Sequence, residues 1–140
     1  MGMFDYIDTE YDLPLPPSIS DEQKNAIRDS FRKDQLQTKD LDCIMSYYFI
    51  DKDGYFYVKV FDEGRWGISD ASFYRIKKEY IHQHLRCYNT ITVPGEKFHF
   101  WLEYDIKFTD GRIQEAKLTE WKQSTIPVWE YTAVPAGGEE

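Results

Sequence analysis

Residues 98–121, FHFWLEYDIKFTDGRIQEAKLTEW, decide the fold. Phe100, Leu102, Tyr104, Ile106 and Phe108 alternate with Trp101, Glu103, Asp105 and Lys107. That period of two puts one apolar and one polar row on opposite faces of a strand. Asp110-Gly111 supplies the favoured two-residue hairpin turn, and RIQEAKLTEW returns as the partner strand. A second hairpin is expected at 43–62. There CIMSYYFI runs into the turn DKDG and out through YFYVKVF, with Tyr55, Tyr57, Lys59 and Phe61 facing one way and Phe56, Val58 and Val60 the other.

Outward from these hairpins the pattern changes. Ser20 and Gln23 form an S-x-x-Q capping box, and Asp21 and Glu22 suit the positive end of a helix dipole. The spacing predicts a surface helix over 20–33, with a thin apolar stripe of Ala26, Ile27 and Phe31. Before it, prolines at 14, 16 and 17 forbid helix, so residues 1–19 are expected to be an extended arm lying on the domain. Residues 63–93 fit two readings. SFYRIKKEYIHQHLRC is either a helix or a pair of strands around Lys77-Lys78-Glu79, with NTITV a strand and PGEK a turn after it. The expected architecture is one α+β domain over 1–140. An antiparallel β meander fills 36–131, with one N-terminal capped helix, the extended arm and a flexible tail at 134–140.

The composition bounds the chemistry. With 140 residues the chain can bury an ordinary core. Its 4 Trp, 11 Tyr and 9 Phe make that core aromatic and favour strands. The net charge is −8, and it is uneven: residues 1–70 carry 15 acidic and 8 basic side chains, residues 71–140 carry 10 and 9. Such a surface repels a phosphate backbone, so direct nucleic-acid binding is not expected. The excess acid serves either solubility or attraction to a basic partner.

Cys43 and Cys87 stand outside any C-x-x-C pair, as expected of free thiols in a reducing compartment. The N-terminal MGMFDYI has neither the basic nor the apolar region of a signal peptide, and Tyr6 stands where myristoylation needs Ser or Thr. No apolar run reaches the length of a membrane span.

His82, His84, Cys87 and His99 have no zinc spacing, and neither helix nor strand presents all four together, so no metal is expected. DKDG lacks the calcium-loop spacing and reads as a turn. A nucleophile elbow, a phosphate loop and a dinucleotide fingerprint are all missing, so the chain names no catalytic residue and no cofactor. Trp66, Trp101, Trp121 and Trp129 are the rings available for stacking, and Trp101 stands on the face opposite Leu102, Tyr104 and Ile106.

The polar run Gln37-Thr38-Lys39-Asp40, just ahead of the most apolar stretch of the chain, has two readings. In one, Thr38 and Asp40 bond the local backbone and shape the start of the hairpin. In the other, Gln37 and Lys39 project to one side as part of a binding surface. Gln37, Lys39, Asp40 and Trp101 are the candidate binding residues.

MFDYI at 3–7, YDLPLP at 11–16, QTKDLDC at 37–43, the DG turn at 53–54 and EYDIKFTDGRI at 103–113 together resemble a family of small proteins of tailed phages and prophages. The motifs stand in that family's order across most of the chain. Relatives carry a Cys pair ahead of the Gln-Thr-Lys motif where this chain has Pro14, Leu15 and Pro16, so no zinc role carries over. The resemblance implies a phage context. In that context the expected reading is an accessory protein in the host cytoplasm that binds a host protein for takeover or counter-defence; the missing motifs lean against catalysis, and the missing apolar run against a membrane. A minor virion or assembly protein, and a protein that sequesters a small ligand such as a nucleotide, are the alternatives.

Overall fold

The computed structural model describes residues 3–33, 36–63 and 69–128, and of residues 61–63 and 69–74 the backbone alone. In chain order the elements are β1 (Asp5–Thr9), α1 (Asp21–Phe31), β2 (Leu36–Thr38), β3 (Tyr47–Ile50), β4 (Phe56–Glu63), β5 (Ser69–Lys78), β6 (Gln83–Ile91), β7 (Phe98–Thr109) and β8 (Arg112–Pro127). They form one eight-stranded sheet in the order β5-β4-β3-β1-β2-β6-β7-β8. The β-rich α+β class agrees with the sequence.

Three expectations are corrected. The sheet is mixed and not a purely antiparallel meander, because β1 runs parallel to β3, with Ile7 beside Tyr48 and Asp8 beside Phe49. Residues 1–19 are also not simply an arm on the surface. Asp5–Thr9 is a central strand, antiparallel to β2 on its other side. Ile7 is fully buried there, and the burial of its apolar side chain outweighs the absence of a local hairpin partner. The prolines begin only after β1. The first hairpin is shorter than expected, starting at Tyr47, and of the two readings of 72–87 the strand pair stands, as β5 and β6. The tail at 134–140 lies outside the described residues.

Local signals hold where they are strongest. The Ser20 side chain accepts the Gln23 N–H at 3.1 Å and the Gln23 side chain accepts the Ser20 N–H at 3.0 Å, completing the capping box. β7 and β8 pair from Phe98 to Thr109 around Asp110 and Gly111, both with positive φ (49° and 79°) as a two-residue hairpin turn requires.

The inner face carries the core. Ile7, Leu36, Ile50, Phe56, Leu85, Leu102, Ile106 and Phe108 are buried together with Leu13 and with Ile27 and Phe31 of α1. The Phe31 and Tyr104 rings meet edge to face at 6.1 Å. The Tyr104 hydroxyl donates to the Pro14 carbonyl at 2.7 Å, so the proline stretch is held over the inner face. The β7–β8 turn curls back onto the other wing: the Gly111 N–H donates to Ile81 O at 2.8 Å, and the Phe56 N–H donates to Gly111 O at 2.9 Å. The helix and proline segment thus cover one face and leave the opposite, outer face for the site.

Candidate functional site

Residues opposite one another in neighbouring strands share a face. Gln37 lies opposite Tyr88, Tyr88 opposite Glu103 and Thr90 opposite Trp101, which places all of them on the outer face. There the Tyr88 and Trp101 rings stack at 5.4 Å with an interplanar angle of 25°. Both are half-buried, with the apolar row of Leu85, Cys87 and Leu102 pointing the other way into the core. This is the physical reason that Trp101 is not core: β7 alternates, and its even-numbered residues take the inside.

Charged side chains surround the ring pair and are held in place. The Arg86 guanidinium grips Glu103 with two bonds, Nε at 2.7 Å and Nη2 at 3.1 Å, a bidentate geometry that fixes both. The Glu103 carboxylate pushes the Arg86 guanidinium further up from its ordinary value. His84 Nδ1 lies 2.9 Å from Asp105 Oδ1, and the Trp101 indole N–H donates to Glu120 Oε1 at 3.0 Å. Tyr88 is pushed up by burial first, with the nearby Arg86 charge acting the other way.

Three of the four sequence candidates meet here. Lys39, Asp40 and Trp101, with Arg86 and Tyr88, line a pocket of about 290 Å³. A second pocket, of about 410 Å³, opens on the other side of Trp101 among Thr90, Glu120, Lys122 and Gln123. Gln37 is on the same face, half-buried on β2, but it does not line either pocket. Trp121 packs against Phe100 at 5.0 Å beside the core, while Trp66 and Trp129 lie outside the described residues.

The polar run makes the backbone bonds of its first reading. Thr38 Oγ1 accepts the Asp40 N–H at 3.2 Å, a local turn. Asp40 Oδ2 accepts the Arg86 backbone N–H at 2.7 Å, and the Gln83 amide donates to Asp40 O at 3.2 Å, tying the end of β2 to β6. The Lys39 side chain is exposed at the pocket rim.

Sequence reasoning missed Arg86, Tyr88 and Asp5. The first two sit in the stretch with two readings, although the alternation of Leu85, Cys87 and Ile91 with Arg86, Tyr88 and Thr90 was there to be found. Asp5 is fully buried, and its carboxylate accepts the backbone N–H groups of Cys43 (2.8 Å), Ile44 (3.2 Å) and Ser46 (2.9 Å). It shapes the loop that follows the polar run, where Cys43 and Met45 have positive φ. Nothing in an isolated Asp signals that role.

The histidines and cysteines are spread apart. His84 faces Asp105 on the outer side, His99 Nδ1 is 3.0 Å from Thr92 Oγ1, and Cys87 is buried on the inner side. Both cysteines are free thiols, and burial pushes the Cys87 thiol strongly up. Among the described residues no three His, Cys, Asp or Glu side chains form a metal-binding group, and no helix is long and apolar enough to cross a membrane. No family model, no curated protein and no solved structure matches the chain.

Proposed function

We propose that this protein is a non-catalytic phage accessory protein that binds a host protein in the host cytoplasm, using the outer sheet face around Tyr88 and Trp101. The observation that carries this reading is the half-exposed stacked pair with a pocket on each side and a charged rim. An aromatic centre within a polar rim is the composition of a protein-binding patch. The rim groups Arg86, Glu103 and Glu120 are already anchored, so little side-chain freedom is lost on docking. The charge of −8 favours a partner with a basic surface and disfavours nucleic acid. The phage setting and the host partner rest on the resemblance of the MFDYI, QTKDLDC and EYDIKFTDGRI motifs.

Affinity capture from host cells, with the wild-type chain and Trp101→Ala as parallel baits, tests the reading. A host protein enriched by the wild type and lost with Trp101→Ala, at matched folding by circular dichroism, supports it. Equal capture by both baits moves the interface elsewhere. Enrichment only of phage particle proteins replaces this reading with a virion role.

A further inference from the structure

β8 is the last strand of the sheet, and beyond its first residues its second edge has no strand partner among the described residues. It is long, Arg112–Pro127, and a bare edge of that length is a template for another strand. Its charge pattern specifies which one.

The register with β7 shifts by one residue between Glu120 and Leu118, which makes Thr119 the extra residue of a bulge. The bulge changes the phase of the strand. Glu115 and Lys117 stand opposite Lys107 and Asp105, and Glu120 and Lys122 stand opposite Glu103 and Trp101. All four therefore lie on the outer face, and all four are exposed. Without the extra residue the two pairs would point to opposite faces, as their sequence separation alone implies. Along the outer face the edge reads Glu, Lys, Glu, Lys.

Read backwards, that row is Lys, Glu, Lys, Glu. We propose that the β8 edge pairs with the β8 edge of a second copy, antiparallel about a two-fold axis through Leu118 and Thr119. Glu115 then stands opposite the partner's Lys122, and Lys117 opposite the partner's Glu120; the two-fold doubles each pair. On the inner face Ala116 stands opposite the partner's Trp121, a small residue against a large one. A two-fold interface is self-complementary by necessity, and this edge meets the requirement in charge and in side-chain face.

The register is specified as well as the partner. A slip of two residues one way sets Glu115 against the partner's Glu120. The same slip the other way sets Lys117 against the partner's Lys122. Centring the axis on Lys117 or on Glu120 places each against its own copy. Each of these alternatives brings like charges together, which is destabilising in a directly opposed cross-strand pair. A single-edge contact is small, so the dimer is a weak, concentration-dependent one. Its consequence is geometric: the two Trp101 side chains face the same way, roughly 25 Å apart from strand rise and spacing. A dimeric or repetitive target can then engage both sites at once.

Sedimentation velocity over a range of protein concentration, with charge variants, tests the pairing. The wild type is expected to shift from monomer to dimer. Lys117→Glu with Lys122→Glu gives an edge of four acids, Glu115→Lys with Glu120→Lys an edge of four bases, and each alone is expected to remain monomeric. An equimolar mixture of the two is expected to recover the dimer. A carbodiimide crosslink between Glu115 of one copy and the partner's Lys122, identified in a mixture of light and isotope-labelled wild-type protein, reads the register without any substitution. A wild type that stays monomeric at every concentration overturns the proposal. So does a dimer indifferent to the charge reversals, or a crosslinked wild-type dimer lacking the Glu115–Lys122 link.

Discussion

The backbone N–H of Arg86 donates to the carboxylate of Asp40 at 2.7 Å, and with the Gln83 amide bond to Asp40 O it extends the β2–β6 pairing to the end of the polar run, beside Tyr88. Asp40→Ala removes this acceptor and loosens the end of β2, leaving the Gln83 bond to the residue 40 carbonyl and the Thr38–Cys87 pairing. The expected loss is about 1 kcal/mol of stability, the usual net worth of an intramolecular hydrogen bond. Partner capture is expected to fall further than that loss explains, because the Lys39 rim of the pocket is no longer held against the Arg86 backbone. Asp40→Asn retains a side-chain acceptor and is expected to lie between the two. Urea unfolding and capture on the same three proteins check this. A capture loss no larger than the stability loss leaves Asp40 a purely structural residue.

Asp5 is expected to be a sensitive carboxylate outside the site. Three backbone N–H groups converge on it, and no water-exposed group replaces it, since its side chain is fully buried. Asp5→Ala is expected to cost about 3 kcal/mol or more, from buried donors left without acceptors. It also releases the left-handed conformations of Cys43 and Met45. Chemical denaturation of the variant measures the cost. A loss under about 1 kcal/mol contradicts the role given to Asp5.

Two glycines with similar positive φ separate backbone strain from crowding. A Cβ on Gly95 meets nothing within 4 Å, whereas a Cβ on Gly111 lies 2.6 Å from Glu79 O and 3.0 Å from Tyr80 Cα. Gly95→Ala is expected to cost only the left-handed conformation, about 1–2 kcal/mol. Gly111→Ala is expected to cost more, because the β7–β8 turn must leave its seat on the segment between β5 and β6. Thermal melts of the two variants decide the order, and equal melting temperatures contradict the docked turn.

Alkaline pH is expected to unfold the protein before its buried tyrosines ionise. Burial pushes the Tyr48 and Tyr104 hydroxyls up, with Asp42 adding to the shift at Tyr48, and a hydrogen bond to Asp51 pushes Tyr57 up. A raised native pKa means that the folded state holds the proton more tightly than the unfolded chain. The associated stability is complete below the unfolded tyrosine value of about 10 and is lost as pH rises through the native values. Tyrosinate absorbance followed together with far-ultraviolet circular dichroism checks this. Full ionisation of all tyrosines with the sheet intact contradicts it.

The parts legible in the sequence are those fixed by neighbours in the chain. Ser20 and Gln23 cap α1 through contacts three residues apart, and the β7–β8 hairpin follows from alternation around Asp110-Gly111. The centre of the sheet was not legible. Ile7 pairs with Leu36 and Tyr48, far along the chain, and a strand of five residues followed by prolines has no local partner to declare it. The site was half legible for the same reason. Trp101 and the Lys39-Asp40 pair stand out as polar or aromatic residues beside apolar rows. Their meeting depends on β6, whose residues also fit a helix.

Site-specific photocrosslinking tests the central claim, that the face around Tyr88 and Trp101 docks a protein, most directly. A photoreactive residue is placed at Lys39, on the pocket rim, and in a second protein at Asn25, exposed on the helix that packs against the inner face. Each is irradiated in host cells, and adducts are identified by mass. The account predicts a covalent adduct with a host protein from position 39, abolished by Trp101→Ala, and none with that protein from position 25. A host adduct from position 25 alone, or one from position 39 that survives loss of the Trp101 ring, contradicts it.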